Sequence, residues 1–408
     1  MGAAHRAAAW AMDQESCMSE AYIVGALRTA GGRRGGRLSG WHPVDLAASV
    51  VDGLLERSGA DPACIEDLIL GCVSQAGEQS TNVGRNVVLA SSLPESVPGC
   101  SVDRQCGSSQ QAIHFAAQAV MSGTMDVVIA AGVESMSRVP MGLPHSLPAR
   151  EGLGCYLSPR MQRRYGVREF SQFRGAEAIA QRFGLSREEL DAYALQSHQR
   201  AARAAVEGAF DDEILPLPSR LADGSEGPPH LRDEGVRADA SAQALAGLKT
   251  LEDGGVITAG NASQICDGAA AVLVANERGL RSLGAEPLAR IHHLSVLGGD
   301  PVVMLLAPLE ATRRALARSG MALADIDLYE VNEAFAPVPL AWARELEADP
   351  GRLNVHGGAI ALGHPLGASG ARLMSTLVHA LRRRGARYGL QTLCEGGGMA
   401  NVTIVERL

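Results

Sequence analysis

Apolar residues along the chain fall into short, nearly continuous runs, separated by stretches where they recur every three or four positions. Tyr22-Ile-Val-Gly-Ala-Leu is a strand-like run, followed by a Gly/Arg-rich loop at 31–40. Helical spacing covers 45–57, and 65–72 reads as a buried strand. Residues 107–122 predict a helix with Ala112, Phe115, Ala116 and Ala119 on one face, and 126–132 predict another apolar strand. Unbroken apolar strands alternating with helices predict an α/β fold whose sheets are covered on both faces.

The pattern also repeats. Leu55, Arg57, Ser58 and Gly59 recur as Leu316, Arg318, Ser319 and Gly320, which fixes an offset (318 − 57 = 261). Without a gap, that offset pairs Ile65 with Ile326, Cys106 with Gly367, Ser108 with Ser369, and Glu134 with Glu395. A constant offset that also matches the helix–strand order predicts two similar α/β halves. The N-terminal half spans 21–278 and the C-terminal half 279–408. An insertion at about 137–250 interrupts the first half, with a helix opened by the capping box Ser186-Arg-Glu-Glu. It is placed where a lid over a substrate sits.

Composition narrows the function classes. The chain has 408 residues, 46% of them hydrophobic, enough for a large core shared by several units. A net charge of −8 and a pI near 5.8 argue against nucleic acid. Lys249 is the only lysine, which reads as compositional bias rather than phosphate recognition. No apolar run approaches the ~18–20 residues that cross a bilayer. Eight cysteines without paired metal-site spacing suit neither a disulfide framework nor a zinc site and point to a reducing cytoplasm. Residues 1–20 are Ala-rich and interrupted by Asp13 and Glu15, which reads as a disordered tail or a mis-assigned start before Met18.

Four segments carry candidate chemistry. Cys106 lies in Val102-Asp-Arg-Gln-Cys-Gly-Ser-Ser, a strand-to-helix junction where free N–H groups and the helix dipole are expected to lower a thiol pKa. It is a candidate nucleophile, with its own N–H as an oxyanion donor; the plainer reading is a buried structural cysteine. His364 sits in a glycine-rich loop before a helix expected from Ala368. The repeat sets that helix start opposite the one after Cys106, so His364 is a candidate base. Cys394 ends a strand that runs into three glycines and is a candidate proton donor and acceptor at carbon. Glu395 beside it raises the thiol pKa if it faces the sulfur, although strand neighbours point to opposite faces. Asn332 follows the strand near Ile326, at a strand end where α/β proteins bind ligands, whereas Glu333 reads as a structural acid.

These segments together resemble the signature blocks of the thiolase family. The blocks are the Cys106 segment, Asn332-Glu-Ala-Phe, Gly357-Gly-Ala-Ile-Ala-Leu-Gly-His-Pro-Leu-Gly, Cys394-Glu-Gly-Gly-Gly, Thr258-Ala-Gly-Asn-Ala-Ser and Leu27-Arg-Thr. The resemblance implies a five-layered α-β-α-β-α core from two fused halves, plus an inserted loop domain that binds CoA. It implies that Cys106 takes the acyl group, His364 activates it, and Cys394 moves the α-carbon proton. Asn332, through water, and His364 would form one oxyanion hole; the N–H groups of Cys106 and Gly396 would form the other. Ser263 would line the pantetheine arm, with Ala334 and Phe335 beside it. Coenzyme A is then a substrate, with no metal or organic cofactor, and the chain a homodimer or homotetramer.

The sequence departs from the family pattern in two ways, the first between small residues and without consequence, the second bearing on the substrate. Ser109 and Ala400 replace glycines found in many relatives. Phe170-Ser-Gln-Phe-Arg-Gly stands where acetoacetyl-CoA thiolases carry a His-Met pair. That leans toward a degradative 3-ketoacyl-CoA thiolase of the β-oxidation type in fatty acid metabolism, with a biosynthetic acetyl-CoA acetyltransferase as the alternative. A decarboxylating ketosynthase lacks a counterpart of Cys394, and a non-catalytic CoA-binding relative would have lost one of Cys106, His364 or Cys394. A dinucleotide oxidoreductase needs a glycine spacing that 31–40 does not supply.

Overall fold

A computed structural model describes residues 19–408, so the expectation for residues 1–20 lies outside the described residues except at Ser19 and Glu20. The main strands are β1 (Tyr22–Thr29), β2 (Asp67–Gly71), β3 (Gly99–Val102), β4 (Val127–Ser135), β5 (Cys266–Ala275), β6 (Ala289–Gly298), β7 (Leu328–Val331), β8 (Tyr388–Glu395) and β9 (Met399–Arg407). The helices that position the site are α1 (Pro43–Ser58), α2 (Val83–Ala90), α3 (Ser108–Met121), α4 (Gln172–Arg182), α5 (Arg187–Val206), α6 (Ala307–Ser319), α7 (Pro337–Glu345), α8 (Ala359–Leu362) and α9 (Ser369–Arg384).

The strands join in the order β7-β8-β9-β6-β1-β5-β4-β2-β3. The seam in the middle is thin: β1 and β6 share the pairs Tyr22↔Arg290 and Ile23↔Ala289. Outward from that seam both sides run antiparallel, antiparallel, then parallel. Element starts keep the sequence offset: Asp67 and Leu328, Ser108 and Ser369, Val127 and Tyr388.

Strand alternation sorts the side chains into layers. Along β5, Ala269, Ala271, Leu273 and Ala275 pack outward with Leu46, Val50 and Leu54 of α1 and Val87 of α2. Ala270, Val272 and Val274 pack inward against Ile113 and Ala116 of α3 and Met374 and Leu377 of α9. The far side of α3 and α9 meets Ile291, Leu328 and Val405 of the second sheet. That sheet is covered in turn by Ala311, Ala315 and Trp342 of α6 and α7. The result is the expected α-β-α-β-α stack.

Lying in the middle layer corrects the expected face of α3. Ala112, Ile113 and Ala116 are buried, whereas Phe115 is 40% exposed. A helix between two sheets and a partner helix buries most of its circumference, so small residues mark its contacts better than large ones do. A Cβ on Gly370 would overlap the Gln110 backbone, so α3 and α9 meet main chain to main chain at their first turns. Within 137–250, α5 opens on the capping box predicted at Ser186 and Glu189. The same segment reaches the core through Glu213 and Asp233, which hold buried Arg28 at 2.6 and 2.9 Å. Among the described residues, no helix is long and apolar enough to cross a membrane.

Candidate active site

The chain turns from β3 into α3 through a strained residue. Gln105 has φ +50°, a region that side chains rarely adopt. Its carbonyl accepts from the Ser108 N–H (2.9 Å) and hydroxyl (2.6 Å), and that hydroxyl accepts from the Arg104 N–H at 2.9 Å. This turn sets Cys106 just ahead of the helix, with Gly107 as its cap. The expectation of a lowered thiol pKa fails. Burial first, and then the Glu395 carboxyl, push Cys106 up to about 12, only partly offset by the amides of Cys106 and Gly396. A helix terminus contributes ~0.3–1 kcal/mol, less than burying a thiolate costs. The residue still keeps part of its surface accessible.

Cys394 is the penultimate residue of β8 and is fully enclosed. Burial, then the Cys106 and Glu395 charges, hold its thiol well above the ordinary value. The Cys106 charge raises the Cys394 thiol, and the Gly396 amide is aimed at Cys106, so the three groups lie close together. Beyond them the chain turns back into β9 through Gly397 (φ +82°) and Gly398 (φ +78°), a bend that strains any other residue.

His364 sits on the loop before α9. Its Nδ1 lies 2.5 Å from the Ser369 hydroxyl, which lies 2.9 Å from the Pro365 carbonyl. A carbonyl only accepts, so the hydroxyl proton goes to Pro365 and Ser369 accepts from Nδ1–H. That assigns the tautomer and leaves Nε2 with its lone pair, 3.4 Å from the Asn332 amide nitrogen. Burial, and then Arg372, lower the imidazole pKa to about 4, so it is neutral at pH 7. Asn332 is enclosed at the end of β7, and its Oδ1 has no protein partner. The loop itself is clamped: Arg372 donates to the carbonyls of Leu362 (2.7 Å) and Gly363 (2.8 Å) and pairs with Asp233 at 2.6 Å.

The two groups meet where the helices begin. The Ala371 N–H donates to Ser109 Oγ at 2.9 Å, and the Gly367 N–H donates to Glu134 at 2.8 Å. Glu134 also accepts from the N–H groups of Val73 and Ser74 and from the Gln79 amide. The His364 loop is therefore seated on the strand ends of the first half, beside the Cys106 turn.

The family model for the thiolase N-terminal domain matches residues 21–278, and that for the C-terminal domain matches 285–407. The chain belongs to the thiolase family. This thiolase is 52% identical over 393 residues to a steroid 3-ketoacyl-CoA thiolase of Mycobacterium tuberculosis, covering 96% of this chain and 95% of the relative. It is 43% identical to an acetyl-CoA acetyltransferase of Chromobacterium violaceum, over 95% of this chain and 100% of the relative. A crystal structure of the Bacillus anthracis acetyl-CoA acetyltransferase matches with a TM-score of 0.88 at 36% identity, covering 97% of this chain and 100% of that one. Human mitochondrial 3-ketoacyl-CoA thiolase matches at 0.85 and 35% identity, covering 96% and 100%. Thiolases are acyltransferases that take CoA as a substrate and need no separate cofactor.

The remaining sequence-predicted residues form a second group in this thiolase. Ser263 donates its N–H to the Ala334 carbonyl (2.9 Å), and Ala262 bridges to Phe335. Phe335 packs edge-on against Phe173, with ring centroids 5.7 Å apart. The next residue, Gln264, accepts from the His364 N–H at 3.0 Å and so ties this group to the His364 loop. Glu333 accepts from Tyr193 (2.9 Å), Ser197 (2.7 Å), Asn354 (3.1 Å) and the Ile360 N–H (3.1 Å), the bonding of a structural acid. Sequence reasoning missed Ser369 as the partner of His364, although the repeat had paired it with Ser108. It also missed the Arg28–Asp233–Arg372 clamp, for which only the Leu27-Arg-Thr block gave a signal.

Proposed function

We propose that this thiolase cleaves 3-ketoacyl-CoA thioesters with CoA, in the degradative direction, through an acyl group carried on Cys106. The observation that carries the reading is the convergence of partly accessible Cys106, buried Cys394 and the Gly396 amide, with neutral His364 on the adjoining loop before α9. His364 Nε2 takes the Cys106 proton as the sulfur bonds to the 3-keto carbon. Because the thiol sits at about 12 and the imidazole at about 4, the ion pair is not a resting state, and proton transfer accompanies attack. The N–H groups of Cys106 and Gly396 receive the oxyanion on the keto carbon. As that tetrahedral centre collapses, the bond between C2 and C3 breaks. Asn332 and protonated His364 hold the enolate oxygen, and Cys394 gives its proton to C2, releasing acetyl-CoA. In the second half CoA–SH gives its proton to the Cys394 thiolate and attacks the acyl carbon. Cys106 leaves and recovers its proton from His364, so every proton is returned.

The substrate reading rests on the aromatic ridge at 165–173. Phe170 packs edge-on against Tyr165, centroids 5.7 Å apart, and Phe173 against Phe335, where short-chain enzymes carry a His-Met pair. Together with the name of the Mycobacterium tuberculosis relative, this favours an apolar acyl group larger than acetyl, up to a ring-bearing one. We further read 137–250 as the CoA-binding insertion within an N-terminal half of 21–278, and the assembly as a cytoplasmic homodimer or homotetramer. Side-by-side thiolysis of acetoacetyl-CoA and a longer 3-ketoacyl-CoA tests the substrate reading. Higher kcat/KM for the longer chain supports it, and preference for acetoacetyl-CoA supports the short-chain acetyltransferase instead.

A further inference from the structure

One buried titratable group has no part in that mechanism. Glu395 ends β8, between Cys394 and the Gly396 amide, and is fully enclosed. Neither of its carboxyl oxygens has a hydrogen-bond partner. The carboxyl lies against Gly107, the residue after Cys106, so closely that a Cβ on Gly107 would overlap it. Glycine at the helix cap is therefore fitted to the presence of this side chain. A buried carboxylate without a partner is strongly disfavoured, so the group stays protonated. In line with that, burial pushes Glu395 up to about 8, opposed by Arg104 on the turn before α3 and by the nearby Asn401 amide of β9.

We infer that Glu395 is a positioning residue for the nucleophile: it wedges Gly107 while uncharged, and its ionisation sets the alkaline limit of Cys106 reactivity. Other charged groups share this place. Glu134, at the end of β4, acts on the Cys106 thiol; Arg104, on the turn before α3, acts on Glu395; and Cys106 and Glu395 both act on Cys394 of β8. Glu134 is tied by four hydrogen-bond donors and keeps its state, whereas Glu395 is free to gain or lose its proton. An uncharged carboxyl leaves the forming thiolate and its oxyanion unopposed. Its anion, against Gly107, repels both. One pKa unit of such repulsion is a tenfold loss of thiolate at a given pH.

The inference rests on Cys106 being the nucleophile, and the test separates the two. Wild type, Glu395→Gln and Glu395→Met are each alkylated with iodoacetamide between pH 6 and 9.5. Modification at Cys106 is followed by peptide mass and by residual thiolysis, with thermal melting confirming that each variant is folded. Gln keeps the shape without the charge, and Met covers the case in which Gln does not fold. The expected result is a ratio of variant to wild-type alkylation rates that climbs at least fivefold between pH 6 and 9.5, because only wild type acquires the opposing charge. A ratio independent of pH overturns the inference, since a merely structural wedge shifts the rate equally at every pH. Thiolysis that survives full alkylation of Cys106 instead overturns the nucleophile assignment.

Discussion

Glu134 and Glu395 occupy equivalent strand ends of the two halves, 261 residues apart, and have opposite surroundings. Glu134 accepts from the N–H groups of Val73, Ser74 and Gly367 and from the Gln79 amide, and so ties the His364 loop to the first half. The Glu395 carboxyl makes no hydrogen bond and has only the Asn401 amide as a nearby backbone donor. One position in a duplicated scaffold thus serves as a brace in one copy and faces a thiol in the other. The division extends to the neighbours. In our reading the first half supplies Cys106, and the second supplies His364, Asn332, Cys394 and Gly396. Duplication yields two helix starts that meet at a near-twofold seam, and a glycine at 367 in place of the nucleophile leaves room for a base on one side only.

The largest test of that division is His364→Ala, which removes the base while leaving Cys106 in place. Thiolysis should fall roughly 10²–10⁴-fold, as for loss of a general base, with the fold intact by circular dichroism. Equal activity in the variant would move the proton acceptor elsewhere. Next, Glu134→Leu leaves three backbone N–H groups without their acceptor and should lower stability by about 3–5 kcal/mol in urea unfolding. A loss below ~1 kcal/mol would mean that water replaces the brace. Ser369→Ala frees the His364 ring from its tautomer-fixing partner and should lower kcat by about tenfold with KM little changed. The mildest change is Glu395→Gln at pH 4, under ~1 kcal/mol in stability because the carboxyl is largely neutral there in the folded and the unfolded chain alike.

That last comparison sharpens with pH. The Glu395 pKa, about 8, is raised above the ordinary carboxyl value of 4.5 by burial. Its contribution to stability is therefore fully present below about 4.5 and lost as pH rises through 8. Wild type should lose roughly 4–5 kcal/mol across that window relative to Glu395→Gln, and parallel stability curves would contradict the assigned state.

Much of this was legible in the residues. The apolar runs gave β1, β2 and β4, the Ser186 capping box gave α5, and the offset of 261 foretold that the starts of α3 and α9 are equivalent. Cys106, His364, Cys394 and Asn332 stand out as candidates because glycines and strand ends flag places where a backbone must let a ligand in. The rest depends on contacts that no local pattern encodes. The Arg28–Asp233–Arg372 clamp draws on β1, the insertion and α9. The rise of the Cys106 pKa comes from enclosure and from Glu395, far along the chain, so a helix-start argument alone gave the wrong direction. The exposure of Phe115 likewise follows from α3 lying between two sheets, where alanines make the contacts.

The central claim, an acyl group carried on Cys106, is tested most directly by intact-protein mass after mixing with a 3-ketoacyl-CoA in the absence of free CoA. The account predicts one acyl adduct on wild type, discharged when CoA is added, and none on Cys106→Ala. An adduct that persists in Cys106→Ala, or turnover of wild type with no adduct at any time point, would contradict it.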